Sequence, residues 1–217
     1  MLFVVKWTLP IENRVTVWNT LGNMPETEKD KRGDVKLIHR YLKLVGDSGV
    51  NVVESDSAED IMKWAMNWSH LSNITITPVL GESEAYKCME QSSLVEKKEV
   101  SESEYEAPVY NFSDGKMTFV VEYNVPLEAN RVDVWNAVAN VTPGGHVKSQ
   151  GNVKLLNRYH YLVGDGGINF VETDSAESLM GWCLNWAHCS NINIYPVIGD
   201  AGAMKCMQKS PLFVKKE

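Results

Sequence analysis

Arg158 and His160 stand two residues apart in the stretch Arg158-Tyr159-His160. In a strand, residues at that spacing point to the same side. A guanidinium and an imidazole would then share one surface. The guanidinium holds an anionic group through its planar fork. The imidazole titrates near neutrality and serves as a general base or as a ligand to a metal or haem. Glu122, Asn169, Asn193 and Tyr195 occupy strand positions from which they could join the pair. His160 and Arg158 are the catalytic candidates, and Glu122, Asn169, Asn193, Tyr195 and Arg40 the ligand-binding ones. Glu122, Asn169, Asn193 and Tyr195 converge with Arg158 and His160 only if that pair faces the inner side of its sheet, and the sequence does not fix that face. In the plainer alternative Arg158 pairs with Glu122 and His160 is simply hydrogen-bonded, because buried charges are paired whether or not they work.

Other chemistry-bearing residues read as structural. His70 and His188 end helices, where a cationic imidazole suits the negative end of the dipole. Cys183 and Cys189 are six apart and fall on different helix faces, and the four cysteines form no Cys-x-x-Cys pair, so no metal site is expected. Trp64 and Trp68, like Trp182 and Trp186, are spaced i, i+4 and read as a core or docking stripe. The turns Gly46-Asp47-Ser48-Gly49 and Gly164-Asp165-Gly166-Gly167 join two strands, which makes them hairpin turns and not phosphate loops.

The elements that position these residues come in two copies. Gly33 to Glu99 aligns without a gap to Gly151 to Glu217, and more than half of the positions are identical. Upstream, MLFVVKW matches MTFVVEY. The equivalents of Glu122, Arg158, His160, Asn169, Asn193 and Tyr195 are Lys6, Arg40, Leu42, Asn51, Thr75 and Thr77. The domain reading is 1–99 for one unit, 100–116 for a linker rich in Ser and Glu, and 117–217 for a second unit. Tyr105, Tyr110 and Phe112 suggest that part of the linker lies against a surface.

Within one copy, the apolar run Leu2 to Trp7 predicts a strand, and Val15, Trp18 and Leu21 share one helix face. Met24 to Gly33, charged and containing Pro25, reads as a loop. Val35 to Val45 and Val50 to Ser55 read as a hairpin. Ser57 or Asp56 caps a helix whose stripe is Ile61, Ala65, Trp68 and Leu71, and Ile74 to Leu80 is a last strand. Lys87-Cys88-Met89 and Lys205-Cys206-Met207 then read as a capping segment packed on the neighbouring unit. The order β-α-β-β-α-β gives a four-stranded antiparallel sheet with both helices on one face. The bare face needs cover, and the second copy supplies it. The predicted fold class is α+β: two ferredoxin-like units, sheets face to face, forming an intrachain barrel. Phe119, Val121, Ile168, Phe170, Ile192 and Ile194 fit the helix side, and Glu122, Asn169, Asn193 and Tyr195 the other.

Composition narrows the function classes. The 217 residues are 44% hydrophobic and 23% charged, with a net charge of -7, which suits a globular protein and argues against a nucleic-acid partner. No apolar run approaches the ~20 residues of a membrane helix, and no secretory signal is recognised. The expectation is a cytoplasmic protein with reduced thiols and no membrane partner, complete as a monomer or as a homodimer.

The chain resembles the dimeric α+β barrel superfamily and, more narrowly, a family of short Trp-containing proteins known as domain of unknown function 3303. The resemblance rests on Trp7, Pro10, Asn13-Arg14, Arg40-Tyr41-Leu42, Glu54-Ser55-Asp56, Trp64, Trp68 and Pro78-Val79. In the second copy it rests on Pro126, Asn130-Arg131, Arg158-Tyr159-His160, Glu172-Thr173-Asp174, Trp182, Trp186 and Pro196-Val197. Tyr stands where that family carries Trp in its Arg-Trp-His strand, and Leu42 replaces the His in copy one. The wider superfamily implies monooxygenases, haem enzymes and ligand-binding proteins, a spread that bars inference from fold to reaction. The cofactor therefore stays unknown. The first functional expectation is a small-molecule-binding protein with its pocket in the barrel of the second unit. The alternatives are an oxidoreductase, monooxygenase-like or haem-dependent, using His160 and Arg158, and a structural or protein-interaction protein with a filled barrel.

Overall fold

The computed structural model describes residues 1–24, 33–96, 115–140 and 150–215. Most of the expected loop at 24–33, and residues 100–114 of the expected linker with its three aromatic residues, lie outside the described residues. The first repeat forms β1 (Leu2–Thr8), α1 (Arg14–Gly22), β2 (Lys36–Lys43), β3 (Ser48–Glu54), α2 (Ala58–Ser69), β4 (Asn73–Gly81) and α3 (Glu82–Gln91). The second forms β5 (Met117–Asn124), α4 (Arg131–Ala139), β6 (Lys154–Tyr161), β7 (Gly166–Thr173), α5 (Ala176–Leu184), β8 (Asn191–Gly199) and α6 (Asp200–Gln208). The fold is α+β, and hydrogen bonding runs β1-β3-β2-β8-β5-β7-β6-β4 around a closed barrel. Helices α3 and α6 stand where the sequence suggested only short capping segments. No helix among the described residues is long and apolar enough to cross a membrane.

Local chemistry accounts for the joints. The β2–β3 and β6–β7 turns each need a left-handed residue, which Gly46 (φ 71°) and Gly164 (φ 70°) supply. The carbonyls of these glycines accept 2.8 Å bonds from Trp18 Nε1 and Trp135 Nε1, so each hairpin turn is tied to the preceding helix. Helix α2 starts at Ser57, whose hydroxyl accepts from the Asp60 N–H, and α5 starts likewise at Ser175, with Ser178 as donor.

The chain divides into two compact units that do not coincide with the repeats. One comprises Met1–Pro78 with Val197–Glu217, and the other Val79–Pro196. Strands β4 and β8 each leave their own unit at the Pro-Val step. In the Val79–Pro196 unit, the end of β4 pairs with β6 through Val79↔Tyr161, Leu80↔His160 and Gly81↔Tyr159. That pairing delivers α3 onto β6 and α4. In the other unit, the end of β8 pairs with β2, from Lys43↔Val197 to Tyr41↔Gly199, and delivers α6 onto α1 and β2.

In the Val79–Pro196 unit, the helix-bearing face of the sheet packs Val121, Val153 and Val171 against Leu179, Trp182 and Cys183. Each such buried side chain contributes roughly 1.5–3 kcal/mol. The first unit repeats the arrangement with Val5, Val35, Val53, Ile61 and Trp64. The sequence-based faces need a correction in β7. Val171 and therefore Asn169 face the helices, while Ile168 and Phe170 point the other way, where Phe170 meets the Tyr159 ring edge-on. Strand β7 is buried on both faces (Ile168, Phe170 and Val171 are all fully buried, Asn169 nearly so). Its polarity therefore does not alternate with its direction.

A polar pocket on the helix side of one sheet

Arg158, His160 and Asn169 lie on one face, and that face is the helix-bearing one. A register shift between Leu155 and Asn157 sets this. One extra residue changes the parity of β6, so that Leu155 and Arg158 both face the helices. The condition for full convergence is not met. Glu122 alternates with Val121 and Tyr123 and points to the opposite face, where its carboxylate accepts a 2.6 Å bond from the Tyr195 hydroxyl. Asn193 is exposed. Arg40 lies in the other unit, with Nη1 3.3 and 3.4 Å from the two Asp200 carboxylate oxygens. The expected set therefore separates into Arg158, His160 and Asn169 on one side and Glu122 with Tyr195 on the other.

The Arg158 guanidinium is engaged through Nε and Nη1. Nε donates to Asn169 Oδ1 at 2.8 Å, and Nη1 donates to Glu82 Oε1 at 2.9 Å and to the Tyr86 hydroxyl at 2.8 Å. Tyr86 in turn donates to Glu82 Oε1 at 2.8 Å. The pairing with Glu122 weighed from the sequence is thus replaced by pairing with Glu82. Glu82 and Tyr86 sit four apart on α3 and share a face. They reach Arg158 because β4 carries α3 out of its own repeat. Burial raises the Tyr86 hydroxyl above the ordinary phenol value; the Arg158 charge opposes that rise, and the Glu82 charge adds to it.

His160 is buried, and its Nδ1 lies 2.8 Å from the Tyr123 hydroxyl. Both residues are register partners of Gly167, Tyr123 from β5 and His160 from β6. Gly167 has no side chain to come between them. A Cβ there would meet the Tyr159 carbonyl and the Tyr123 ring and hydroxyl. Burial raises the Tyr123 hydroxyl above its usual range, so it keeps its proton. Among the described residues its only hydrogen-bond neighbour is His160 Nδ1. The hydroxyl and the imidazole Nδ1 therefore share this one bond, which ties the two side chains together.

These groups form the polar end of a cavity of about 70 Å3 between the sheet and its helices. The rest of the wall is apolar, from Val121, Val134, Val138, Trp182, Trp186 and Ile192. Cys183 and Cys189 also line it, and burial pushes the Cys183 thiol up to about 11, which makes it a poor nucleophile near neutrality. All four cysteines are free. Among the described residues no group of three or more His, Cys, Asp or Glu side chains is arranged to hold a metal. Haem does not fit beside His160. The cavity is far below the roughly 300–1,000 Å3 of pockets for drug-sized ligands, and the rings of Tyr86 and Tyr123 stand edge-on to the imidazole at 5.8 and 6.1 Å.

The first unit supplies an internal control. Its corresponding cavity, about 60 Å3, lies between Val5, Trp7, Leu42, Asn51, Trp64 and Trp68. Trp7 stands for Tyr123, Leu42 for His160 and Met204 for Tyr86. Leu42 and Met204 are buried in an apolar cluster against which Trp7 packs. One fold thus holds an apolar cluster in one copy and a hydrogen-bonded polar cluster at the same place in the other. Glu82, Tyr86 and Tyr123 escaped the sequence reading. The signal available for the two tyrosines was the joint change of Tyr86, Tyr123 and His160 to apolar or indole side chains between two otherwise similar repeats.

The model of a family described as a domain of unknown function, DUF3303, matches residues 1–93 and 117–211. The chain belongs to the DUF3303 family. Both repeats are therefore DUF3303 units, joined in one polypeptide. No curated protein matches the chain. Among solved structures it is similar to a chlorite dismutase variant from Candidatus Nitrospira defluvii, with 11% identity, 96% of this chain and 95% of that one covered, and a TM-score of 0.52. A second variant of that enzyme shows 13% identity, 96% coverage of each chain and a TM-score of 0.51. At such identities the likeness is one of fold, and it places this DUF3303 pair in the dimeric α+β barrel architecture.

Proposed function

We propose that the protein binds a small, largely apolar molecule in the cavity of the Val79–Pro196 unit, with one neutral polar group turned toward Tyr123, His160, Arg158 and Asn169. The observation that carries this reading is the contrast between the copies. A polar cluster buried among valines and tryptophans costs desolvation free energy that the apolar version in the other unit avoids. Such a cost is tolerated where the groups do something. The site differs from the expected one in lying on the helix side of the sheet.

The chemistry of the polar end selects the ligand class. Glu82 already neutralises Arg158, so a carboxylate would bring an uncompensated negative charge into an apolar pocket. A carbonyl or hydroxyl meets the polar groups gathered there without that penalty. The volume limits the molecule to a handful of heavy atoms. Free cysteines suit a reducing, cytoplasmic setting.

Thermal unfolding of the full chain with small ketones, lactones and alcohols, and with carboxylates of the same size, tests the reading. The neutral carbonyl compounds are expected to raise the midpoint of the native protein and not of His160→Leu. Equal shifts in both proteins, or shifts from the carboxylates alone, would contradict it.

A further inference from the structure

The cavity of the Met1–Pro78 and Val197–Glu217 unit carries chemistry of its own. Asn51 alternates with Val53 on the helix-bearing face of β3 and is only 6% exposed. Its Oδ1 is buried and accepts no hydrogen bond among the described residues. The equivalent oxygen in the other unit, on Asn169, accepts from Arg158 Nε. In this unit the Arg40 guanidinium is hydrogen-bonded to Asp200 instead of to Asn51. Asp200, one methylene shorter than Glu82, holds both carboxylate oxygens against Arg40 Nη1. Met204, in place of Tyr86, offers no hydroxyl to the pair. Asn51 is left with a buried acceptor at the wall of a cavity of about 60 Å3. Trp7, Leu42, Trp64 and Trp68 form most of the apolar wall around it, and Arg40 and Ser72 also line the cavity.

A buried acceptor without a donor is costly, and any molecule that supplies one recovers the loss. We infer that this cavity is a second binding site, for a small aromatic or aliphatic molecule bearing a single hydrogen-bond donor, a hydroxyl or an N–H, that it gives to Asn51 Oδ1. The indole walls fit a planar apolar body through stacked or edge contacts. The site differs from the pocket proposed above in one respect: its buried asparagine oxygen accepts no hydrogen bond among the described residues, whereas that of Asn169 is held by Arg158. Its existence does not depend on the other.

The test is a titration of the 15N-labelled full chain with phenol and, separately, with anisole, which has nearly the same shape and no donor. Phenol is expected to shift the Asn51 side-chain amide and the Trp64 and Trp68 indole signals, and to bind at least about fivefold tighter than anisole. In Asn51→Leu the two compounds are expected to bind equally. Equal affinity in the native protein, a preference that survives Asn51→Leu, or shifts confined to Trp182 and Trp186 would each overturn the proposal. A crystal of the native protein soaked in phenol gives a readout free of any variant. The phenol oxygen is expected within about 3 Å of Asn51 Oδ1. A hydroxyl pointing elsewhere, or an ordered water kept at Asn51 in its place, would overturn it.

Discussion

Tyr123 and His160 meet over Gly167, the register partner of both, and the Tyr123 hydroxyl and His160 Nδ1 share a hydrogen bond of 2.8 Å. The pair spans three strands at a point where the middle strand has no side chain.

The bond couples two buried groups, so their substitutions should not add. Tyr123→Phe removes the hydroxyl bonded to His160 Nδ1, and His160→Leu removes the ring nitrogen bonded to the Tyr123 hydroxyl. Each is expected to cost about 1–3 kcal/mol of stability in urea unfolding. The double variant should cost less than the sum, with a coupling of roughly 0.5–3 kcal/mol. Strict additivity would mean that the two groups do not depend on each other.

Gly167→Ala should be far more damaging than an ordinary strand Gly→Ala change. The added Cβ meets the Tyr159 carbonyl and the Tyr123 ring, both fixed by the sheet. Overpacking of this kind costs about 1–3 kcal/mol. Circular dichroism during urea unfolding reads the loss. A variant as stable as the native protein would show that the close approach at Gly167 is dispensable.

Alkaline pH should weaken the fold through its tyrosines. Burial raises the hydroxyls of Tyr86, Tyr123 and Tyr195 above the ordinary phenol value, with the Glu122 bond adding to the rise at Tyr195. A phenol whose folded value is raised contributes stability that is complete below its unfolded value, roughly 10. That contribution is lost as the pH climbs from there toward the folded values. Ultraviolet titration should find at least three of the eight tyrosines resisting ionisation until the protein unfolds. Ionisation of all eight near pH 10 with the near-ultraviolet dichroism intact would contradict this.

The fold was largely legible because its signals are local. Apolar runs, the glycine turns and the Ser57 and Ser175 caps mark their own elements, and the repeat identifies the partner for each sheet. The faces of β6 and β7 were not legible. The register shift near Leu155 and Asn157 leaves no mark in composition, and β7 is buried on both sides, so Asn169 sits among helix-facing valines while Phe170 faces away. The contribution of α3 was hidden for another reason. Glu82 and Tyr86 reach Arg158 only because β4 crosses into the other unit, a long-range event that spacing within one repeat does not encode.

The most direct test exchanges the chemistry of one copy for that of the other. The triple variant Tyr86→Met, Tyr123→Trp and His160→Leu gives the Val79–Pro196 unit the residues its counterpart already tolerates. Native mass spectrometry of the full chain after incubation with a small-metabolite extract would compare it with the native protein. A neutral adduct of low mass retained by the native chain and absent from the folded triple variant is the expected result. The same adducts on both, at the same occupancy, would show that the polar cluster has no part in binding.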